Sequence, residues 1–131
     1  MKFLDSDIIS YYLNSNKKVL NGILKMIDNE MQICTTIINV YEILKGFRWK
    51  NNLTKEKLFN ELKESLKIFK IDDKVIHIAA NIYSNLRKTG KTINDSDILI
   101  AAIVISYNGT LVTNNIKHYE NIPDLRIENW L

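Results

Sequence analysis

The chain has few of the residues that staple, hinge or anchor a protein. Its one cysteine, Cys34, can form no internal disulfide and has no second cysteine with which to build a zinc site, which fits a reducing cytoplasm. Cys34 therefore reads as a small buried hydrophobe. One proline and four glycines leave no linker, and no low-complexity tract or internal repeat marks a boundary, so residues 1–131 are expected to form a single domain. The longest apolar run, Ile98 to Ile105, has eight residues against the roughly 18 of a membrane span. Asp5 interrupts the start before a signal-peptide core could form, so no membrane partner is expected. What is present is ordinary globular material, 46% hydrophobic and 25% charged, enough for a core that buries about two-thirds of the unfolded surface.

A net charge of +3 does not by itself argue for nucleic acid. Its distribution says more. Asp5, Asp7, Glu42, Asp95 and Asp97 are expected to converge, and without them eighteen basic residues face only ten acids. Lys45, Arg48 and Lys50 follow Glu42, Arg87, Lys88 and Lys91 precede Asp95, and Lys117 comes later. Taken singly, each is equally explained as part of a solvated helix face.

Hydrophobic periodicity alternates between strand and helix. Lys2 to Leu4 is a short strand, followed by helical spacing at Ile8, Ile9, Tyr12 and Leu13. Val19 to Ile27 gives an amphipathic helix ending near Asn29, and Met31 to Cys34 a second strand. Thr35 or Thr36 caps a helix through Tyr41 and Leu44 that breaks at Asn51 and Asn52. Leu58, Leu62 and Leu66 mark a further helix, Ile68 to Ile71 a strand, and Val75 to Leu86 a helix stopped by Gly90. Asn94 or Asp95 opens an apolar helix that must be buried on most sides. Strands at Thr110 to Thr113 and Leu125 to Ile127 complete an α/β chain with a mostly parallel central sheet of about four to five short strands flanked by helices.

In such a sheet, ligands gather outside the carboxyl ends of the strands. Asp5 directly follows the first strand, Thr113, Asn114 and Asn115 follow a later one, and Asp95 and Asp97 lie on the first turn of the buried helix. Glu42 sits in an otherwise apolar helix, where an unpaired carboxylate is costly. Each acid alone has a structural explanation as a helix cap or an ion-pair partner. Jointly, three or four carboxylates at one sheet edge raise each other's pKa unless a cation neutralises them, and all-oxygen ligation favours Mg²⁺ or Mn²⁺. His77 and His118 are isolated in sequence, and His77 reads as a surface or packing residue.

These residues resemble the PIN-domain ribonucleases, and within them the VapC toxins of toxin-antitoxin pairs, over essentially the whole chain. Phe3-Leu4-Asp5-Ser6-Asp7-Ile8 is similar to the family's opening motif, and Asn39-Val40-Tyr41-Glu42-Ile43 to its second. Asn94 to Ala102 resembles its D-x-x-I-A-A segment, with the acid at Asp97. Leu111-Val112-Thr113-Asn114-Asn115, Tyr119 and Leu125 to Trp130 resemble its closing pattern. Asn115 stands where some members carry a fourth Asp, Asp7 where Asn is also common, and Tyr119 where Phe is usual.

The resemblance implies a PIN-like fold and a metal-dependent endoribonuclease, with Asp5, Glu42 and Asp97 holding Mg²⁺ or Mn²⁺. Asp95 and Asn115 would be outer ligands, and Thr113 would orient a carboxylate or water. It also implies an RNA substrate, a cognate VapB-like antitoxin partner and a homodimer. Two other readings compete. Asp5-Ser6-Asp7 after a strand also matches the D-x-D pair of haloacid dehalogenase-type phosphatases, with Asp5 as nucleophile, although Glu42 would then have no role. A catalytically weak RNA- or protein-binding domain is the second alternative.

Overall fold

The alternation of side chains along each short strand sets the layers of the molecule. In the computed structural model, which describes all 131 residues, β1 (Lys2–Leu4) sends Phe3 to one side of the sheet and Leu4 to the other. Phe3, Cys34 and Leu111 pack under α5 (Asp73–Lys88) and α6 (Asp95–Ser106). Leu4, Ile33 and Val112 pack against α1 (Ser6–Leu13), α2 (Lys17–Asp28), α3 (Ile37–Trp49) and α4 (Leu53–Lys63). Cys34 is fully buried, as its solitary occurrence suggests.

The remaining strands are β2 (Ile33–Thr36), β3 (Lys67–Phe69), β4 (Thr110–Val112) and β5 (Arg126–Glu128), with a four-residue helix, α7 (Ile116–Tyr119), between the last two. All five strands are parallel, in the order β3-β2-β1-β4-β5. The chain leaves β1 toward β2 and β3 on one side and later returns to β4 and β5 on the other. The order therefore reverses between β1 and β4, where a doubly wound sheet opens a crevice at its carboxyl edge.

The caps follow the expected chemistry. Thr36 caps α3, Asp72 caps α5 and Asn94 caps α6, each through its side-chain oxygen on a backbone amide. Gly90 has φ +71°, the left-handed conformation expected of the residue that stops α5. Helix α6 is buried around most of its circumference because α5 covers the side away from the sheet. No helix is long and apolar enough to cross a membrane.

Several boundaries differ from the sequence reading. β2 begins two residues later than expected: Met31 and Gln32 are exposed, whereas Ile33 to Thr36 are all buried and Thr35 Oγ1 donates to the Leu4 carbonyl. The threonines belong to the ladder and not only to the cap. β3 ends at Phe69 and leaves Ile71 exposed, and β5 runs one residue further than expected. In α4 the fully buried side chain is Phe59, while Leu58 is exposed, because the helix turns a different stripe to the core.

Candidate active site

Asp5 is both the residue after β1 and the N-cap of α1, which fixes its carboxylate at the mouth of the crevice. Its Oδ1 accepts from the Ser6 amide at 2.9 Å and from Asn39 Nδ2 at 2.8 Å, and its Oδ2 accepts from Thr113 Oγ1 at 2.8 Å. Burial pushes this carboxyl above the usual range and the Asp97 charge adds to the rise, against the Thr113, Ser6 and Asn39 hydrogen bonds.

Asn39, fully buried on the first turn of α3, is the hub of this network. Its Oδ1 accepts from Thr36 Oγ1 at 2.7 Å, which leaves Nδ2 to donate to Asp5 and to Ser6 Oγ. Ser6 Oγ in turn donates to Glu42 Oε1 at 2.8 Å. Glu42 lies one turn beyond Asn39 on α3, and its pKa is raised by burial and then by the Asp5 and Asp97 charges, with the Ser6 bond opposing. Asp7 is also pushed up by burial and by the Asp5 charge, although the Ile8 and Asn114 amides donate to it.

Asp97 enters from α6 and is 7% exposed. Tyr119 donates its hydroxyl to Oδ1 at 3.1 Å, and His118 Nδ1 stands 3.0 Å from Oδ2. Burial raises the Tyr119 pKa far above its ordinary value, and the surrounding acids add to the rise, so its hydroxyl stays protonated as a donor. No lysine or arginine lies within ion-pair distance of Asp5, Asp7, Glu42 or Asp97.

The crevice thus unites Asp5, Glu42, Asp97 and Thr113. Thr113 is fully buried and also accepts from the Asn115 amide at 3.0 Å. The Asn115 side chain itself is exposed and makes no capping bond, so only its backbone takes part. Asp95 is not brought in. Two residues apart on a helix means about 200° of rotation, and with Asp97 facing the crevice, Asp95 is exposed beside Ile76, Tyr83 and Leu99. A groove of about 470 Å³ runs from Ser6, Asp7 and Glu42 between α1 and α3 to Lys50 and Lys55.

His118 is the residue that sequence reasoning set aside, since nothing in its spacing links it to Asp97 across 20 positions of chain. Asn39 carried a readable signal, being a polar residue on the core-facing side of an apolar helix. His77 is exposed and pairs only with Asp73 on its own helix.

The donors present suit a hard cation: three carboxylates, two of them with raised pKa, and no thiol. As the side chains stand, however, no group of three or more Asp, Glu, His or Cys residues forms a ready-made metal cage. Their oxygens rest on protein donors instead.

The fold that carries this crevice is shared with known proteins. The model of the PIN domain matches residues 2–123, so the chain belongs to the PIN domain family. Ribonuclease VapC2 of Rickettsia felis is 30% identical over 97% of this chain and 96% of its own length, which sets the chain among the VapC members of that family. The crystal structure of VapBC2 from Rickettsia felis bound to a DNA fragment from its promoter superposes with a TM-score of 0.92 at 28% identity, covering 99% of this chain and 98% of that one. FitAcB from Neisseria gonorrhoeae gives a TM-score of 0.81 at 26% identity over 98% and 97% of the two chains. This membership leaves the phosphatase reading of Asp5-Ser6-Asp7 without support, and Glu42 has a place in the crevice that reading could not give it.

Proposed function

We propose that this chain is the toxin of a toxin-antitoxin pair and an endoribonuclease that hydrolyses RNA with Mg²⁺ or Mn²⁺ at Asp5, Glu42 and Asp97. The observation that carries the reading is the convergence of these three acids, desolvated and within each other's electrostatic reach, with no lysine or arginine paired to them. Phosphodiester hydrolysis calls for charge neutralisation and in-line positioning more than for a covalent nucleophile. A bound divalent cation would supply Lewis acidity and a more acidic water. The protein's own part is to hold the three carboxylates, with Thr113 and Asn39 orienting Asp5 and Ser6 orienting Glu42. One carboxylate accepts the proton of the attacking water as its oxygen bonds to phosphorus, and the P–O3′ bond breaks with the departing oxygen taking a proton from solvent, leaving 5′-phosphate and 3′-hydroxyl ends. Asn115 has an outer role through its backbone, and Asp95 has none at the crevice.

Lys50, at the far end of the groove from Glu42, is placed to bind phosphate without regard to sequence, while the Lys55 ammonium beside it is engaged by the Leu13 carbonyl and Asn14 Oδ1. A recessed site suits a splayed single strand or loop better than a duplex. The partner in this reading is a VapB-like antitoxin, which the likeness to VapBC2 from Rickettsia felis supports, and the enzyme in this reading is a homodimer acting in the cytoplasm. One domain spans residues 1–131.

The test is RNA cleavage by the purified protein. Cleavage is expected with Mg²⁺ or Mn²⁺, ceasing on addition of EDTA, while sequencing of RNA ends after brief expression without antitoxin identifies the target. Cleavage that persists in EDTA would sink the mechanism.

A further inference from the structure

The segment from Thr113 to Tyr119 grips two acids that arrive from opposite ends of the sequence. Thr113 Oγ1 donates to Asp5 Oδ2, the Asn115 amide donates back to Thr113 Oγ1, and His118 and Tyr119 take the two oxygens of Asp97. Tyr119 is almost wholly buried and anchors the segment in the core. His118 differs: its side chain is half exposed, so packing does not explain its conformation.

A carboxylate held at one oxygen can still rotate about its bond to Cβ. Held at both, it cannot. We propose that His118 is a positioning residue of the active site, its Nδ1–H on Asp97 Oδ2 fixing, together with Tyr119 on Oδ1, the plane in which Asp97 meets a divalent cation. The proposal rests on the reading of Asp97 as a metal-site acid. A carboxylate oxygen has more than one lone pair, so the His118 bond leaves acceptor capacity for a cation. Hydrogen bonds of this kind to ligating groups are worth about 10- to 100-fold in metal affinity or activity. Position 118 thereby joins the site without contacting the reacting atoms.

The geometry makes the test selective. Asparagine places an amide N–H near the position of imidazole Nδ1, glutamine places one near Nε2, and alanine supplies neither. Mn²⁺ binding by calorimetry and RNA cleavage kinetics are to be measured on wild type, His118→Ala, His118→Asn, His118→Gln and Asp97→Asn, with melting in EDTA as the folding control. His118→Ala is expected to weaken Mn²⁺ binding and lower kcat about 10-fold with KM for RNA unchanged. His118→Asn should restore both to within about threefold of wild type, and His118→Gln should not. Wild-type Mn²⁺ affinity and kcat in His118→Ala, or equal losses in the Ala and Asn variants, would overturn the proposal. So would a change confined to KM, which would make His118 an RNA contact. If Asp97→Asn binds Mn²⁺ like wild type, the reading of Asp97 fails and takes the proposal with it. If Asp97→Asn loses the metal while His118→Ala keeps it, only the positioning role fails.

Discussion

Two carboxylate clusters stand on the same sheet and are treated in opposite ways. At β5, Glu128 meets Lys2 Nζ at 2.9 Å and the Trp130 indole N–H at 2.9 Å. Burial alone would raise the Glu128 pKa, but these hydrogen bonds and the lysine charge outweigh it and hold the group below the usual range. In the crevice, Asp5, Asp7 and Glu42 have no such cation, and their pKa values are raised. The first cluster is complete as it stands and serves the fold. The second has no lysine or arginine in an ion pair, Lys45 easing only Glu42 and from beyond that distance, which is the arrangement expected where a ligand is to supply the charge.

The largest expected difference between the clusters is in activity. Asp5→Asn or Asp97→Asn should take RNA cleavage to background while leaving cooperative unfolding intact, whereas Glu128→Gln should cleave like wild type. Gel assays of RNA cleavage in Mn²⁺, paired with calorimetry, check this. Loss of cleavage in Glu128→Gln at intact stability would abolish the distinction.

Stability sharpens the comparison at smaller scale. A carboxyl whose pKa is raised on folding binds more protons folded than unfolded, so its contribution is present at low pH and is lost as pH rises above about 3.8 to 4.5 toward the folded value. Glu128, held low, works the other way and loses stability as pH falls below 4.5. Metal-free protein should therefore lose stability as pH rises above about 4.5, and excess Mn²⁺ should oppose that loss because the cation binds the deprotonated acids. Glu42→Gln is the cleanest probe of the repulsion, since it keeps an acceptor for Ser6, whereas Asp97 has both oxygens engaged by His118 and Tyr119. It should raise the metal-free Tm by roughly 2–5 °C, about 1 kcal/mol in a domain of this size. Lys2→Met should lower stability by about 1 kcal/mol or less, as for a part-exposed pair. A Tm in EDTA that does not fall as pH rises above about 4.5 would deny the crevice acids their burial and mutual repulsion.

The difference between the clusters was only half legible in the sequence. Asp5, Asp95 and Asp97 could be assigned to the sheet edge from strand ends and helix starts, and Glu42 stood out as a carboxylate in an apolar helix, whereas the choice of Asp5, Glu42 and Asp97 as the metal-holding set came from the resemblance to the family's motifs. Of the partners that tune them, Thr113 was marked by the resemblance and Asn39 by its polarity in an apolar helix, but the bonds made by Ser6, Asn39 and His118 could not be read. Ser6 and Asn39 reach the acids through side-chain rotamers, and His118 through a four-residue helix too short to have a period. Asp95 illustrates the same limit, since the structure does not bring it to the crevice. Proximity in sequence to Asp97 suggested a shared site, but one helical turn separates neighbours by face, and the cap at Asn94 fixes which of the two acids points inward. The threonines of β2 were misjudged as cap alone because polar residues weaken a strand signal that their burial then contradicts.

The smallest effect tests how far the crevice extends. Asp95 shares a hollow with Ile76, Tyr83 and Leu99 and is exposed, and no hydrogen bond ties it to Asp5, Glu42 or Asp97. The Asn115 side chain is likewise free of capping bonds, its contribution to the site being the backbone amide on Thr113. Asp95→Asn and Asn115→Ala should therefore each keep kcat within about threefold of wild type and leave the Mn²⁺-induced rise in Tm unchanged, surface substitutions being worth little. Thr113→Val is the contrasting case, because it removes the donor to Asp5 and the acceptor of the Asn115 amide from a fully buried position, and leaving such groups unpaired costs about 1–3 kcal/mol. A loss in Asn115→Ala as deep as that in Asp97→Asn would make the exposed amide part of the ligand set. The same loss in Asp95→Asn would mean that RNA or metal reaches around α6, and the site would then extend over both faces of that helix's first turn.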